Sequence, residues 1–342
     1  MTSIVDVARH AHVGVGTVSR VLSGKGYVSE KTREKVMASV EELNYTPNEV
    51  ARNLLQNRTN TIAVIVPDLT NRFYTSFVNE LEYLLRKKGY KTLLCNSFGK
   101  ETNEQTYLNM LDQNLVDGII TASNLLSNTS YARITKPIVS LDSVLSPDIP
   151  MVCCDHKTGG REAARMLIKA GCRHVLQFRD GVDLDIKNHD SEIELTVDDF
   201  PYVHRHIEFE RAIRSADILY DEVQTIGASS LTKIRELAEK TYEAYPDVDG
   251  LMATDVLAIQ YASVALSHGR RIPEDLKIIA YDGTDFLDLF YPKLSAIVQP
   301  IDQLAQACVD YLMQEIDHQV IPENRKILPV QIIDRTQSVI QD

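Results

Sequence analysis

The sequence lacks the features that would place a chain in a membrane or in a repeat architecture. No run of 18 apolar residues occurs among its 342 residues, so no transmembrane helix is expected. The first residues carry neither the basic stretch nor the apolar core of a signal peptide, which predicts a cytoplasmic protein. Low-complexity segments and repeats at a solenoid period are also missing.

Cysteine is scarce as well. The chain has five cysteines, an odd number, scattered along the sequence. That distribution is typical of reduced, small apolar side chains and argues against a disulfide framework or a metal site. The five are Cys95, Cys153, Cys154, Cys172 and Cys308.

Positive charge is in deficit over most of the chain. The formal net charge is −12, yet residues 1–60 hold eight Lys or Arg and six Asp or Glu, a local charge of +2. The remaining residues therefore carry −14. A chain this acidic is no general polyanion binder, so any affinity for nucleic acid must lie within the first 60 residues.

Those residues predict two short helices around a tight turn. Apolar residues at helical spacing give the first helix one buried face, formed by Ile4, Val7, Ala8 and Ala11. Gly14 is expected to make the turn, with backbone angles closed to other residues. The second helix buries Val18, Val21 and Leu22.

The opposite face of the second helix is small or polar, and it carries Gly16, Ser19, Arg20 and Ser23. A slim face with hydroxyls and one long donor suits a helix in the DNA major groove. Two alternatives are a helical hairpin that only packs and a dinucleotide-binding loop. Residues 14–19 nearly match the GxGxxG fingerprint, but that fingerprint must follow a strand, and here a helix precedes it.

Further elements complete an amino-terminal domain. Ser29 can cap a third helix that closes a small core through Val36, Val40 and Leu43. Pro47 suits the first turn of a short apolar helix, which a polar linker follows. We therefore predict a helix-turn-helix headpiece at 1–46, a hinge helix and linker at 47–60, and a core at 61–342.

Beyond residue 61 strands and helices alternate. In a first series, strands are predicted at 62–66, 91–95, 118–121 and 137–141, with helices at 73–88 and 101–113. A second series follows residues 151–154, with strands at 174–178, 223–226, 250–254, 277–281, 294–298 and 326–333, and helices at 159–169, 207–215, 231–244, 255–267 and 304–316. Such βαβ repetition predicts two α/β lobes, each with a parallel sheet covered by helices on both faces. Small ligands bind at the carboxyl ends of such strands, so a cleft between the lobes is expected.

Three motifs in the first 60 residues carry a resemblance: Asp6-Val7-Ala8, Thr17-Val18-Ser19-Arg20-Val21-Leu22 and Asn44-Tyr45-Thr46-Pro47-Asn48. In these motifs and their spacing the chain resembles the LacI/GalR family of bacterial transcriptional repressors. The resemblance implies a periplasmic-binding-protein-like core, a homodimer on palindromic operator DNA, and a sugar or sugar-phosphate effector between the lobes. It implies no enzyme activity, cofactor or metal. Short motifs elsewhere, such as Gly89-Tyr90-Lys91 and Val116-Asp117-Gly118, are similar to those of sucrose-operon repressors of Gram-positive bacteria.

The same resemblance assigns the DNA contacts to Val15, Gly16, Thr17, Ser19, Arg20, Ser23, Asn48, Ala51 and Leu54. Leu54 would be a wedge in the minor groove, and its alternative is an ordinary core leucine. The family usually has Ser where Gly14 stands, and Gly16 offers no side chain. We therefore expect direct readout from Val15, through a thymine methyl, and from Arg20, through guanine O6 and N7.

The predicted effector contacts are Asp68, Phe73, Tyr74, Arg205, Asp255, Asp282 and Gln299. Sugars need carboxylate or amide acceptors, donors and flat apolar faces, and most of these residues follow predicted strands. For several of them a structural role stays open. Packing is the alternative for Phe73 and Tyr74, helix capping for Asp255, and capping or hinge hydrogen bonding for Asp282.

One region departs from the family pattern. Residues 179–203 form a long acidic stretch that either makes a surface excursion or reshapes the mouth of the cleft. After it, Arg205 and Phe209 keep the family's arginine and aromatic residue, but Glu208 replaces a glycine. Arg205 is thus either an effector contact or part of a solvated face.

Rival functions differ in their ligands. A global carbon-catabolite regulator of the same family would use a phosphorylated carrier protein as corepressor. A sugar-binding receptor is opposed by the headpiece and the missing signal peptide. An α/β enzyme would need a nucleophile–base pair, metal-ligand spacing or a phosphate loop, none of which the sequence shows. Residues 335–342 lack heptads, so a tetramer is not expected.

Overall fold

The computed structural model describes residues 2–24, 26–46, 58–98, 100–123, 131, 134–179, 197–225 and 230–335. The chain divides into two compact units, residues 1–59 and 60–342. The predicted hinge helix, with Asn48, Ala51 and Leu54, lies outside the described residues, as does most of the acidic stretch.

The first unit is a three-helix headpiece, as the sequence predicts. Its helices are α1 (Ile4–His10), α2 (Val15–Ser23) and α3 (Glu30–Glu42). One buried cluster joins them, formed by Val7, Ala8, Ala11, Val18, Val21 and Val36. Because each helix is short, this shared apolar core stabilises them more than helix propensity does.

The turn between α1 and α2 differs from the prediction for Gly14. Gly14 has an ordinary φ of −72° and is the N-cap of α2. The left-handed residue is His12, with a φ of 52°, two positions beyond the end of α1. A left-handed residue after the last helical turn is a common way for a helix to end. The left-handed residue of the turn is therefore His12. The prediction that Gly14 adopts backbone angles closed to other residues was wrong.

The first lobe of the second unit holds a six-stranded parallel sheet. Its strands lie in the order β11 (Arg325–Leu328), β5 (Met151–Cys154), β4 (Ile138–Leu141), β3 (Gly118–Thr121), β1 (Thr61–Val66) and β2 (Lys91–Asn96). Its elements up to the first crossover are β1 (Thr61–Val66), α4 (Arg72–Lys87), β2 (Lys91–Asn96), α5 (Glu101–Asp112), β3 (Gly118–Thr121), β4 (Ile138–Leu141) and β5 (Met151–Cys154). Strands β1, β3, β4 and β5 are almost wholly buried, as expected for a sheet with helices on both faces.

The second lobe has a second six-stranded sheet, in the order β12 (Gln331–Ile333), β10 (Ser295–Val298), β9 (Lys277–Asp282), β8 (Gly250–Thr254), β6 (His174–Arg179) and β7 (Leu219–Gln224). Its elements are α6 (His156–Lys169), β6 (His174–Arg179), α7 (His204–Ser215), β7 (Leu219–Gln224), α8 (Leu231–Ala244), β8 (Gly250–Thr254), α9 (Asp255–Ser267), β9 (Lys277–Asp282) and β10 (Ser295–Val298). Strand β7 begins four residues before its predicted position of 223. It is an edge strand with alternating burial, so it lacks the continuous apolar run that marks the central strands.

The chain then crosses between the lobes twice more. Helix α10 (Ile301–Ile316) packs against α4 in the first lobe, although the sequence placed it in the second series. The single strand predicted at 326–333 is two strands, β11 (Arg325–Leu328) beside β5 and β12 (Gln331–Ile333) antiparallel to β10. Pro329 lies between them and cannot donate to a sheet ladder, which separates the two pairings. Three crossovers thus join the lobes.

All five cysteines are buried, with free thiols. Burial raises the pKa of Cys95 to about 11 and that of Cys172 to about 12, so these side chains behave as apolar residues at neutral pH. No helix in the described part of the chain is long and apolar enough to cross a membrane.

Candidate DNA-reading helix and effector cleft

Helix α2 presents the predicted reading face to solvent. Val15, Gly16, Ser19 and Arg20 are exposed and Thr17 is half-buried, while Val18 is fully buried on the opposite side. The side chain of Ser23 lies outside the description. No side chain caps the amino end of α2, so its first amide groups remain available to an anion such as a phosphate.

Two glycines border the Arg20 side chain. A Cβ built on Gly16 would lie 3.9 Å from Arg20 Nη2, and one on Gly26 would lie 3.3 Å from Arg20 Cδ. Gly16, with no side chain of its own, therefore leaves the outer face of α2 slim around the arginine. This geometry fits a helix that enters a groove and reads bases through one long donor.

In the core, the strand ends meet at a cleft that contains the predicted effector residues. One cavity of about 250 Å³ is lined by Phe73, Tyr74, Arg205, Asp282 and Gln299, among others. An adjoining cavity of about 110 Å³ shares Phe73 and Asp282 and adds Asp68 and Asp255. The structure therefore brings all seven predicted residues to one cleft.

Asp282 and Gln299 form a buried pair at the floor of this cleft. Gln299 Nε2 donates to Asp282 Oδ1 at 2.8 Å, and the Gln299 backbone N–H donates to the Asp282 carbonyl at 3.0 Å. Asp282 ends β9 with a φ of 113°, a conformation that costs a non-glycine residue energy and that clusters at binding sites. Gln299 Oε1 is buried and has no hydrogen-bond partner within the described ranges. The floor of the cleft thus contains an unsatisfied acceptor.

Asp255 holds the neighbouring loop. It is the first residue of α9, and its carboxylate accepts from Gly283 N at 3.1 Å, Thr284 N at 2.6 Å and Thr284 Oγ1 at 2.7 Å. Burial raises the pKa of Asp255 even though these donors lower it. The N-cap of α9 is Thr254, so Asp255 fixes the turn after Asp282 and does not cap its own helix.

Arg205 lies inside the cleft and not on a solvated face. It is 5% exposed, and its guanidinium carbon lies 4.7 Å from the centre of the Tyr281 ring. Gly160 lets α7 approach α6 this closely, because a Cβ there would lie 2.9 Å from the carbonyl carbon of Arg205. Glu208, where the family has glycine, is buried between Arg161 at 3.2 Å and Arg211 at 2.6 Å.

The Gly160→Ala substitution is expected to destabilise the core and to blunt its response to sugar. The added methyl must displace the α7 backbone at Arg205, and overpacking of this kind costs about 1–3 kcal/mol. Thermal unfolding of the full chain should show a lower Tm. Gly14→Ala is the control, since nothing lies within 4 Å of its Cβ position and its φ is −72°. An unchanged Tm for Gly160→Ala would contradict the close approach of α6 and α7.

Phe73 and Tyr74 differ in their surroundings. Phe73 is buried and packs in the first-lobe core with Phe77, so it serves packing and also lines the cavity. Tyr74 is half-buried and reaches the same cavity. Asp68 lies two residues beyond β1, where it accepts from Thr70 N at 2.8 Å and Thr70 Oγ1 at 2.6 Å.

Four residues with polar groups that the sequence analysis did not single out also line the cavity of about 250 Å³, namely Asn71, Asp142, Ser143 and Tyr202. Asp142 directly follows β4, so the rule that selected Asp255 and Asp282 could have found it. It has a φ of 55°, and its Oδ1 lies 2.9 Å from His156 Nε2. His156 Nδ1 lies 3.1 Å from the Tyr281 hydroxyl. This chain of contacts joins the first lobe to the second through the crossover after β5.

The described end of the acidic stretch belongs to the cleft wall. Two short 3-10 helices lie here, Val197–Asp199 and Pro201–Val203. Phe200, between them, and Val203 are buried. The backbone N–H of Val144 donates to the Asp199 carbonyl at 2.9 Å, which attaches this segment to the first lobe. Tyr202 lines the larger cavity. This part of the stretch therefore shapes the mouth of the cleft, and residues 180–196 lie outside the description.

An ion pair spans the cleft at its rim. Arg72 on α4 donates to Asp285 from Nε at 3.0 Å and from Nη2 at 2.9 Å. The two residues belong to different lobes, and the hydrogen bonds from Arg72 hold the pKa of Asp285 below its usual value. Elsewhere, no group of three His, Cys, Asp or Glu side chains within the described residues is placed to hold a metal ion.

Comparisons with known proteins match this geometry. The profile of bacterial regulatory proteins of the lacI family matches residues 3–48, and that of a periplasmic binding protein-like domain matches residues 188–338. The chain is 37% identical over 334 residues to the sucrose operon repressor of Streptococcus mutans, covering 97% of this chain and 98% of the relative. It is 32% identical over 336 residues to the ribose operon repressor of Halalkalibacterium halodurans, covering 98% and 96%.

A solved structure with a bound sugar is also similar. The LacI-type transcriptional regulator of Alkaliphilus metalliredigens complexed with D-xylulofuranose superposes with a TM-score of 0.71 at 26% identity. The match covers 82% of this chain and 100% of that chain.

Proposed function

The chain belongs to the lacI family of bacterial regulatory proteins. On this premise we propose that it is a homodimeric repressor of a sugar-utilisation operon, namely one for sucrose. The supporting observation is that one chain carries both an exposed reading helix and a two-lobed cleft. The helix is α2, with Val15 and Arg20 exposed on its outer face. The name of the Streptococcus mutans relative supports the choice of operon.

The proposed mechanism couples sugar to DNA through the lobes. A sugar that contacts Arg205 and Asp282 in the second lobe and Phe73 in the first changes how far the lobes close. In the dimer, this motion shifts the segments that lead to the headpieces and alters operator affinity. Coupling between two such sites is typically worth about 1–3 kcal/mol.

The dimer is proposed to use the edge of the first-lobe sheet. Strand β2 is an edge strand, and it exposes Leu93 at 37% and Leu94 at 43%, with Phe98 just beyond it at 69%. Large apolar side chains on an unpaired edge attract another strand or surface. We propose that a second copy of the chain packs on this edge, because it also supplies the second headpiece for a palindromic site.

The direct test is an operator titration. Purified protein is expected to bind a palindromic promoter fragment more tightly than a scrambled fragment of equal length, and sucrose or fructose should change that affinity. Addition of a phosphorylated carrier protein distinguishes the catabolite-regulator rival, which would bind strongly only with that partner. Equal affinity for both fragments, with and without sugar, would refute the proposal.

A further inference from the structure

We infer that the cleft selects an uncharged, polyhydroxylated sugar and rejects its phosphorylated form. This inference rests on the proposed function and narrows the ligand of the same site. Both classes of ligand share the sugar ring, so the choice between them depends on the charge and hydrogen-bonding groups of the cleft.

The charge of the cleft disfavours a phosphate. The described residues that line the two cavities include four carboxylates and two guanidinium groups, without a lysine. The carboxylates are Asp68, Asp142, Asp255 and Asp282, and the guanidinium groups are those of Arg72 and Arg205. A phosphate ester carries close to two negative charges at neutral pH and would enter a lining of the same sign. Like charges at short range in a partly buried site repel strongly.

The two arginines already have partners. Arg72 is held by both oxygens of Asp285 at 3.0 and 2.9 Å. Arg205 lies over the Tyr281 ring at 4.7 Å, and its Nε donates to His206 Nε2 at 3.4 Å. A planar guanidinium against an aromatic ring can still donate from its edge to a neutral hydroxyl. Among the residues that the structure describes, neither arginine forms part of a basic cluster of the kind that phosphate sites use.

The hydrogen-bonding groups of the cleft favour a ligand that can donate. Gln299 Oε1 is a buried acceptor without a partner in the described ranges, beside the carboxylate of Asp282. A buried acceptor is stabilised only by a donor, and a sugar hydroxyl supplies one. The oxygens of a dianionic phosphate carry no proton and would add more acceptors. Phe73, Tyr74 and Tyr202 line the same cavity and offer rings to the C–H face of a sugar.

Calorimetric titration of the full-length protein tests the inference. The ligands are fructose and sucrose, each against its 6-phosphate, with glucose and ribose as further neutral sugars. At least one neutral sugar is expected to bind, and its phosphate should bind at least about tenfold more weakly. Affinity for the neutral sugar should fall by no more than a few-fold between low and high salt, because no ligand charge is screened and only the exposed Arg72–Asp285 pair is.

Asp142→Asn provides a charge variant with a matched control. Asparagine keeps an acceptor and tolerates the left-handed backbone of Asp142, whose φ is 55°. We expect the preference for the neutral sugar over its phosphate to shrink several-fold. Asp217→Asn makes the same change at an exposed residue with a φ of 54°, and it should leave the preference as in the wild type.

Three results would overturn the inference: tighter binding of a phosphate than of its parent sugar, no binding of any neutral sugar, or an unchanged preference in Asp142→Asn. An operator titration in parallel separates this failure from that of the proposed function. Specific operator binding that responds only to a sugar phosphate would remove the inference and leave the repressor. Loss of operator specificity altogether would remove the proposed function.

Discussion

Replacing Leu94 with aspartate is expected to separate the dimer and to weaken operator binding by about 10²–10⁴-fold. Leu94 lies on the edge strand β2 and is 43% exposed in the single chain. A charge at this position would be desolvated in the proposed interface and opposed by its symmetry mate. Each headpiece would then bind its half-site alone, without the high local concentration that a linked second headpiece provides.

Sedimentation and operator titration measure the two parts of this prediction. Leu219→Asp is the matched control, since Leu219 is a 59%-exposed leucine on β7, the edge strand of the other sheet. It should leave the oligomeric state and the operator affinity unchanged. A Leu94→Asp protein that remains dimeric would place the interface on another surface.

Replacing Arg20 with alanine is expected to remove most of the operator discrimination. A bidentate contact between arginine and guanine is worth about 1–3 kcal/mol of discrimination, or about 5- to 150-fold in affinity. Gly16 has no side chain that could take over, and Val15 can only sense a methyl group. The loss should be confined to the specific fragment, since binding to bulk DNA depends on charge.

The control for Arg20 is Arg9→Ala. Arg9 is in the same headpiece with its side chain 78% exposed, and it pairs with Asp6 at 3.3 Å. Its removal takes away the same charge and should weaken specific and non-specific binding to a similar, small extent. If competition titrations show equal losses for both variants, Arg20 acts as a phosphate contact and not as a base reader.

Much of the site follows from one rule, that side chains after parallel strands meet at one edge. Asp255 and Gln299 each follow a buried strand and Asp282 ends one, and the structure collects all three in the cleft. The same rule covers Asp142, which follows β4 and was overlooked. Tyr202 could not be found in this way, because it lies in a short 3-10 helix within an acidic stretch that has no apolar period.

The path of the chain between the lobes was less predictable than the strands themselves. Periodicity identifies α10 as an amphipathic helix, but its partner α4 is more than 200 residues away in sequence. Likewise, the turn at His12 depends on a left-handed conformation that glycine usually adopts, and Gly14 was the nearer candidate by composition. For α10 the deciding factor is a contact distant in sequence, and for His12 it is a local backbone conformation. Neither is visible in the hydrophobic pattern of the sequence.

The ion pair between Arg72 and Asp285 is expected to make the response to carbohydrate depend on salt concentration. The two side chains join the lobes, so a carbohydrate that favours closure of the cleft and this ion pair would reinforce each other. Arg72 is 37% and Asp285 69% exposed, so dissolved ions screen the pair, whose worth is at most about 1 kcal/mol. An osmotic upshift would therefore raise the carbohydrate level needed to switch the operon by a few-fold.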